Sequence, residues 1–186
     1  MTLIKLSLHN HTNKSDGLYS PEALLKILAR EYDVVAITDH NYYTRPKKIP
    51  KDLLYIRGVE FAFHQMGMEV VGLDFGTKPP FLQYAEVGWV CHPRFLHCPL
   101  SQMAKYIVST KNVYGHEIYN QGMEQLSERQ LDEIDHYKFN HYAVDDMHVL
   151  YNLKTSWMEM EVDSVDKHTV LENLKSGDFW NVCKGQ

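Results

Sequence analysis

The sequence predicts an α/β fold, closer to a small or incomplete barrel of βα units than to a sandwich. Two observations predict it. Apolar, strand-like runs alternate with helix-like segments, and the runs end on acid or imidazole side chains, in order His9, His11, Asp16, His40, Glu60, His92, Glu117, Asp146 and His148. Residues gathered at the carboxyl ends of successive parallel strands share one rim of such a fold. Neutral imidazole and carboxylate oxygen are the ligands that zinc, manganese and iron accept, so the pattern describes a cage for several divalent ions.

The elements follow in chain order. In Thr2–His11, side chains two apart share a face, so Ile4, Leu6 and Leu8 face one way and His9 and His11 leave together on the other. Ser20-Pro21-Glu22 starts a helix, with serine as cap, proline at the first helical position and Ala23, Leu24, Leu25, Ile27 and Leu28 as its apolar stripe. That helix leads to Asp33–His40, nearly continuous in apolar residues, as expected of a parallel strand covered on both faces. Leu53 to Glu60 and Val87 to His92 repeat the design. Between them, Phe61-Ala62-Phe63 and Glu69–Leu73 flank a glycine turn at Gln65-Met66-Gly67, which reads as a hairpin, and Thr77-Lys78-Pro79-Pro80 breaks the chain. Ser127 caps a helix running to about Tyr137. The period of two in Tyr142–His148 puts Asp146 and His148 on one face and makes Asp146 the better ligand than Asp145. Thr155 to Val162 reads as a strand and Asp166 to Ser176 as a helix stopped by Gly177.

Composition sets further bounds. A chain of 186 residues is expected to be one domain, 1–186, burying roughly two thirds or more of its unfolded surface. Three widely spaced cysteines, Cys91, Cys98 and Cys183, argue against a disulfide framework and for a reducing, cytoplasmic location. No apolar run approaches the roughly twenty residues of a membrane span, and the start of the sequence does not read as a leader. The net charge of -5 gives no bulk attraction for long nucleic acid, and the basic cluster Arg45-Pro46-Lys47-Lys48 with Lys51 is short. Eleven histidines are an excess. His64, His136, His141 and His168 read as surface or packing residues, and Trp89, Trp157 and Trp180 as barrel core rather than a base-stacking platform.

Leu8-His9-Asn10-His11-Thr12 with Ser15-Asp16-Gly17, then Ile37-Thr38-Asp39-His40-Asn41, Gly58-Val59-Glu60, Cys91-His92-Pro93, Gly115–Asn120 and Asp145-Asp146-Met147-His148 resemble, in order, the motifs of the PHP (polymerase and histidinol phosphatase) family. The resemblance implies a distorted (β/α)7-type barrel, two or three divalent metal ions (zinc, manganese or iron) and phosphoester hydrolysis. It implies that His9, His11, Glu60 and Asp146 hold one ion, that Glu60 bridges to a second held by His92, and that Asp16, His40 and His148 form a third site. Glu117 or Asn120 fills the remaining strand-end position. Ser7 stands where many members carry aspartate, which removes a carboxylate expected behind one imidazole. The short segment between His40 and Glu60 implies a small lid and a shallow pocket.

Two metals sharing a carboxylate lie roughly 3.5 to 4 Å apart, polarise phosphoryl oxygens and bring the pKa of a bound water near neutrality. Arg94, directly after His92-Pro93, is placed to contact a phosphate oxygen; its bland alternative is a solvated loop arginine. Cys91-His92 with His97-Cys98 matches no common zinc spacing, and Cys91 reads as core. The expected activity is hydrolysis of a small-molecule phosphate ester, with Glu60 and Arg94 as catalytic residues and Arg94 and Asn120 on the substrate. The rivals are a nuclease or phosphatase acting on nucleotides or oligonucleotide ends, and a catalytically weak metal-binding interaction module.

Overall fold

The computed structural model describes residues 1–63, 65–95 and 97–184. His64 lies outside the described residues. In chain order the elements are β1 (Thr2–Ser7), α1 (Pro21–Leu28), β2 (Val34–Ile37), β3 (Leu54–Phe63), β4 (Met68–Leu73), β5 (Val87–Val90), α2 (Leu100–Ser109), β6 (Val113–Asn120), β7 (Met123–Glu124), α3 (Glu128–Ile134), β8 (Asn140–Val144), β9 (Ser156–Val162), α4 (Lys167–Ser176) and β10 (Trp180–Cys183). The strands form one sheet in the order β10-β9-β1-β2-β3-β4-β5-β6-β7, with β8 also paired to β6.

The sheet curls into a nearly closed barrel of mixed direction. β1, β2 and β3 run parallel, as do β5, β6 and β8, which gives true βα units through α1, α2 and α3. β4 is an antiparallel strand between β3 and β5, turned at Gly67 with φ of 60°, while β9 and β10 lie antiparallel on the β1 edge. The seam is closed by single contacts rather than by a ladder. Asn10 bridges to Met147 in parallel, and the Ser156 hydroxyl donates to the Val144 carbonyl at 2.6 Å. Asn181 Nδ2 donates to the His141 carbonyl at 2.9 Å. Closing the seam at Asn10 and Met147 brings the ends of β1 and β8 together, which decides where the functional groups meet.

Apolar packing fills the barrel with Ile4, Leu6, Leu8, Ile56, Val71, Trp89, Tyr142 and Met158. Trp89 stacks on Tyr142 with ring centroids 4.6 Å apart. Helix α4 plugs the end at which β8 begins. Its side chains Val170, Leu171 and Leu174 join the barrel core, and its last carbonyls are satisfied by Tyr142 Oη and Asn140 Nδ2. Asp166 caps its start and Gly177, with φ of 82°, ends it. A second core lies between β3–β6 and helices α2 and α3, and a third under α1. The capping box at Ser127 and Gln130 starts α3, which tightens into a 3-10 turn over Asp135–Tyr137. Trp89 and Trp157 are buried, whereas Trp180 is 44% exposed on the edge strand β10, not in the core. Helix α2, absent from the sequence reading, buries Met103, Ala104 and Ile107. No helix among the described residues is long and apolar enough to cross a membrane.

Candidate metal centre

The open end of the barrel gathers every predicted histidine and carboxylate ligand around Glu60, which lies within β3 and is fully buried. One carboxylate oxygen, Oε2, sits 3.1 Å from His9 Nε2, 3.1 Å from His11 Nε2 and 3.2 Å from His40 Nδ1. The other, Oε1, sits 3.0 Å from His92 Nε2. A single side chain thus presents one oxygen to each of two neighbouring groups of imidazoles. Asp146 Oδ1 completes the first group, 3.3 Å from His11 Nε2 and 3.5 Å from His9 Nε2. Asp16 faces the third, with Oδ2 at 3.4 Å from His40 Nε2 and 3.2 Å from His148 Nε2.

Ligand atoms in four groups lie close enough together to hold a metal ion: His9, Glu60, Cys91 and His92; His11, Asp16, His40 and His148; His9, His11 and Asp146; and His40, Glu60 and Glu69. His9 Nε2 and His92 Nε2 lie at hydrogen-bond distance from Glu60 Oε2 and Oε1, at 3.1 Å and 3.0 Å, but two atoms of the centre are left over. His11 Nε2 and Asp146 Oδ1 are buried without a hydrogen-bond partner although each has polar atoms within 3.5 Å. Buried ligand atoms converging at that distance, without hydrogen-bond partners, fit a divalent cation between them. The donor set of imidazole nitrogen and carboxylate oxygen suits zinc, manganese or iron.

Electrostatics point the same way. Burial opposes charge on His11 and His92, yet the carboxylates of Asp146 and Glu60 overcome it at His11, and those of Glu60 and Glu117 at His92, raising both rings to about 9. Burial likewise acts against the charge on Glu60 and Asp146, but the surrounding imidazoles, His9 foremost, hold both carboxyls below their ordinary range. In the metal-free protein, protons occupy the positions from which cations would draw the same lone pairs.

The backbone delivers these groups in ways that simple strand alternation does not describe. β1 ends at Ser7 and β8 at Val144, so the ligands stand in the irregular chain beyond each strand. Asp146 has φ of 45° and His92 φ of 26°, left-handed conformations that non-glycine residues seldom adopt. The kink at Asp146 turns its carboxylate inward, whereas Asp145 faces away and accepts from Tyr32 Oη and the amides of Lys154, Thr155 and Ser156. The His11–Asp16 loop is tied down by buried Asp39, which accepts from the Thr12 amide and hydroxyl, Ser15 Oγ and Thr44 Oγ1. Gly17 allows the loop to fold back, because a Cβ there would stand 2.2 Å from the His11 carbonyl oxygen.

Three expectations take a different form in the structure. Glu117 joins none of the metal-holding groups among the described residues. Its oxygens accept from His9 Nδ1 at 2.8 Å, Trp89 Nε1 at 3.1 Å, the His92 amide at 2.6 Å and Asn120 Nδ2 at 2.9 Å. It therefore fixes the His9 tautomer, leaving Nε2 to face Glu60. Asn120 donates to Glu117 and to Asp146 Oδ2 at 3.1 Å, so its amide orients two carboxylates. Ser7 removes nothing from His9, because Glu117 stands behind that ring and Ser7 Oγ donates instead to Asn10 Oδ1. Arg94 is exposed on the 3-10 turn Pro93–Phe95 and is not among the residues lining the adjoining cavity.

Sequence reasoning missed Glu69. It lies on β4, Oε2 3.5 Å from His92 Nε2 and Oε1 3.8 Å from His40 Nδ1. The available signal was a lone carboxylate in the apolar run Met68–Leu73. Cys91 is core, as read, but its thiol also belongs to one ligand group, while Cys98 belongs to none. Beside the centre opens a cavity of about 630 Å³, lined among others by Met68, Glu69, Phe95, Gln121 and Met123.

No protein-family model matches this chain, and no curated protein does. Solved structures do match. A two-domain protein from Bacteroides vulgatus containing a predicted PHP-like metal-dependent phosphoesterase superposes with a TM-score of 0.74 at 14% identity, over 98% of this chain and 65% of the other. This chain thus spans just under two thirds of that protein. PsfC from Pseudomonas syringae superposes with a TM-score of 0.64 at 11% identity, over 100% of this chain and 93% of the other. The PHP resemblance carried by the sequence motifs is matched by the fold.

Proposed function

We propose that this chain is a metal-dependent phosphoesterase that hydrolyses a small-molecule phosphate ester, with its sheet acting as the distorted β/α barrel of that class. The observation that carries the reading is the position of Glu60, one oxygen toward His9, His11 and His40 and the other toward His92, beside the unpartnered His11 Nε2 and Asp146 Oδ1. His9, His11, Glu60 and Asp146 would hold one divalent ion. Glu60, His92 and Glu69 would hold a second, and Asp16, His40 and His148 a third. Bound ions of this kind neutralise phosphoryl oxygens and make water acidic enough to attack at neutral pH.

The chain's own residues do the positioning. Glu117 and Asn120 lock His9 and Asp146 before any ligand arrives, and His148 donates from Nδ1 to the Asp146 carbonyl at 3.0 Å, which leaves Nε2 facing Asp16. Burial of His9, His11 and Glu60 keeps bulk water from the innermost ligands, where electrostatic interactions are strongest. The cavity along Phe95 and Met123 receives the organic part of the ester.

The test is release of phosphate or nitrophenol from p-nitrophenyl phosphate, bis(p-nitrophenyl) phosphate and mononucleotides with manganese, zinc or iron, and after chelation. Turnover that needs metal is expected. Absence of hydrolysis with every metal contradicts the proposal and leaves a metal-binding module.

A further inference from the structure

Cys91 directly follows β5 and joins the barrel core that Trp89 and Tyr142 fill. On an extended strand, neighbouring side chains point to opposite faces, so Cys91 and His92 should part company. They do not. His92 adopts φ of 26°, which breaks the alternation, and the ligand atoms of His9, Glu60, Cys91 and His92 all lie within 4.8 Å of one another. The backbone is held on both sides of the break: the Cys91 amide donates to the Glu69 carbonyl at 2.9 Å, and the His92 amide to Glu117 Oε2 at 2.6 Å.

The thiol thus sits on the closed, barrel side of a ligand group rather than alone. His9, Glu60 and Cys91 have no exposed surface, and the His92 side chain is 17% exposed. Two buried atoms without hydrogen-bond partners bear on members of the same group, His11 Nε2 at 3.1 Å from Glu60 Oε2 and Asp146 Oδ1 at 3.5 Å from His9 Nε2. Glu60 divides its two oxygens, and only Oε1 faces His92. Glu69 approaches His92 at 3.5 Å, but its side chain is 32% exposed. A dication beside His92 therefore lacks a full anionic partner on the barrel side. Charge in a buried place needs such a partner, and a thiolate at Cys91 supplies it.

Resting on the metal-dependent reading above, we infer that Cys91 is a ligand of the second ion, alongside Glu60 and His92, and that its sulfur makes this position prefer zinc to manganese. The thiolate is the ligating form, so the S–H bond breaks as the metal–sulfur bond forms, and the proton leaves to solvent. Soft thiolate favours zinc, whereas manganese suits oxygen ligands. The other ligand groups among the described residues contain imidazole and carboxylate alone, and Cys98 and Cys183 belong to none of them.

The experiment loads wild type and Cys91→Ser with zinc, or with cobalt as a spectroscopic substitute. X-ray absorption at the zinc edge should show a sulfur scatterer at about 2.3 Å in wild type. The cobalt form should show a near-ultraviolet sulfur-to-metal band. Both should vanish in Cys91→Ser and persist in the double variant Cys98→Ser with Cys183→Ser, which keeps Cys91 as the chain's last thiol. In competition, the ratio of zinc to manganese affinity should fall about tenfold or more in Cys91→Ser, since even an outer partner of a ligand is worth that much. Zinc held through nitrogen and oxygen alone in wild type, or a sulfur signal that survives in Cys91→Ser, overturns the inference and leaves the phosphoesterase reading intact. Wild type that binds neither zinc nor cobalt overturns both. If Cys91→Ser does not fold, the double variant decides: a retained band comes from Cys91, and a lost band overturns the inference.

Discussion

Glu60 is the residue on which the centre turns, because its two oxygens serve different groups of imidazoles. Glu60→Gln keeps the shape but halves the capacity to accept, and should lower bound metal and turnover together. Elemental analysis showing unchanged metal content would contradict its bridging position. Glu117→Gln tests a different role. It weakens the hold on His9 without touching a group placed around the ions, so metal affinity or activity should fall by roughly 10–100-fold while the fold survives. A variant with unaltered affinity and rate would show that the His9 tautomer needs no help. The residues that gather at the open end were legible in the sequence as imidazoles and carboxylates at the ends of apolar runs. The supporting contacts were not. Glu117 shared its strand-end position with Asn120 as an alternative, and only the contacts with Trp89, Asn120 and the His92 amide show it standing behind the ligand groups.

At the scale of elements, the loop from His11 to Gly17 must be folded tightly for Asp16 to reach His40 and His148. Gly17→Ala forces a Cβ against the His11 carbonyl oxygen, so the loop has to shift. Overpacking of this kind costs about 1–3 kcal/mol, which denaturant unfolding would read as a lower midpoint, accompanied by loss of the most exposed metal. Equal stability and equal metal content would mean that the loop relaxes freely. Helices α1, α3 and α4 could be read in advance from Ser20-Pro21, the Ser127 capping box and the Asp166 to Gly177 boundaries, since each carries its own local start or stop. Helix α2 follows Pro99 with no side-chain cap and only Met103, Ala104 and Ile107 buried, a pattern too sparse to announce itself. The antiparallel course of β4 was legible as the hairpin about Gly67, whereas that of β9 and β10 was hidden for another reason. Strand direction depends on partners distant in sequence, and side-chain periodicity is the same in either direction.

For the whole molecule, the paired charges of the open end make stability depend on pH and metal. His11 and His92 titrate near 9 in the folded, metal-free protein against an ordinary value of 6.5, so their contribution is full below 6.5 and lost as pH rises through about 9. Glu60 and Asp146, held below ordinary values of 4.5 and 3.8, contribute above those values and lose their contribution as pH falls through the depressed ones. Metal-free protein should thus melt highest between about pH 4.5 and 6.5 and lose stability toward pH 9. A melting temperature that climbs from pH 6 to 9 without metal would contradict these pairings. Metal must displace those protons, so calorimetric titration at pH 7 in buffers of different ionisation enthalpy should show proton release. The same titration at a hundred times the dissociation constant should stabilise the fold by about 2.7 kcal/mol.

Anomalous diffraction from crystals soaked with zinc or manganese, recorded on both sides of the metal absorption edge, tests the central claim most directly. Peaks between Glu60 Oε2 and the His9, His11 and Asp146 atoms, and between Glu60 Oε1 and His92, are the predicted result. Anomalous density elsewhere on the surface, with these side chains keeping their mutual contacts, would contradict it.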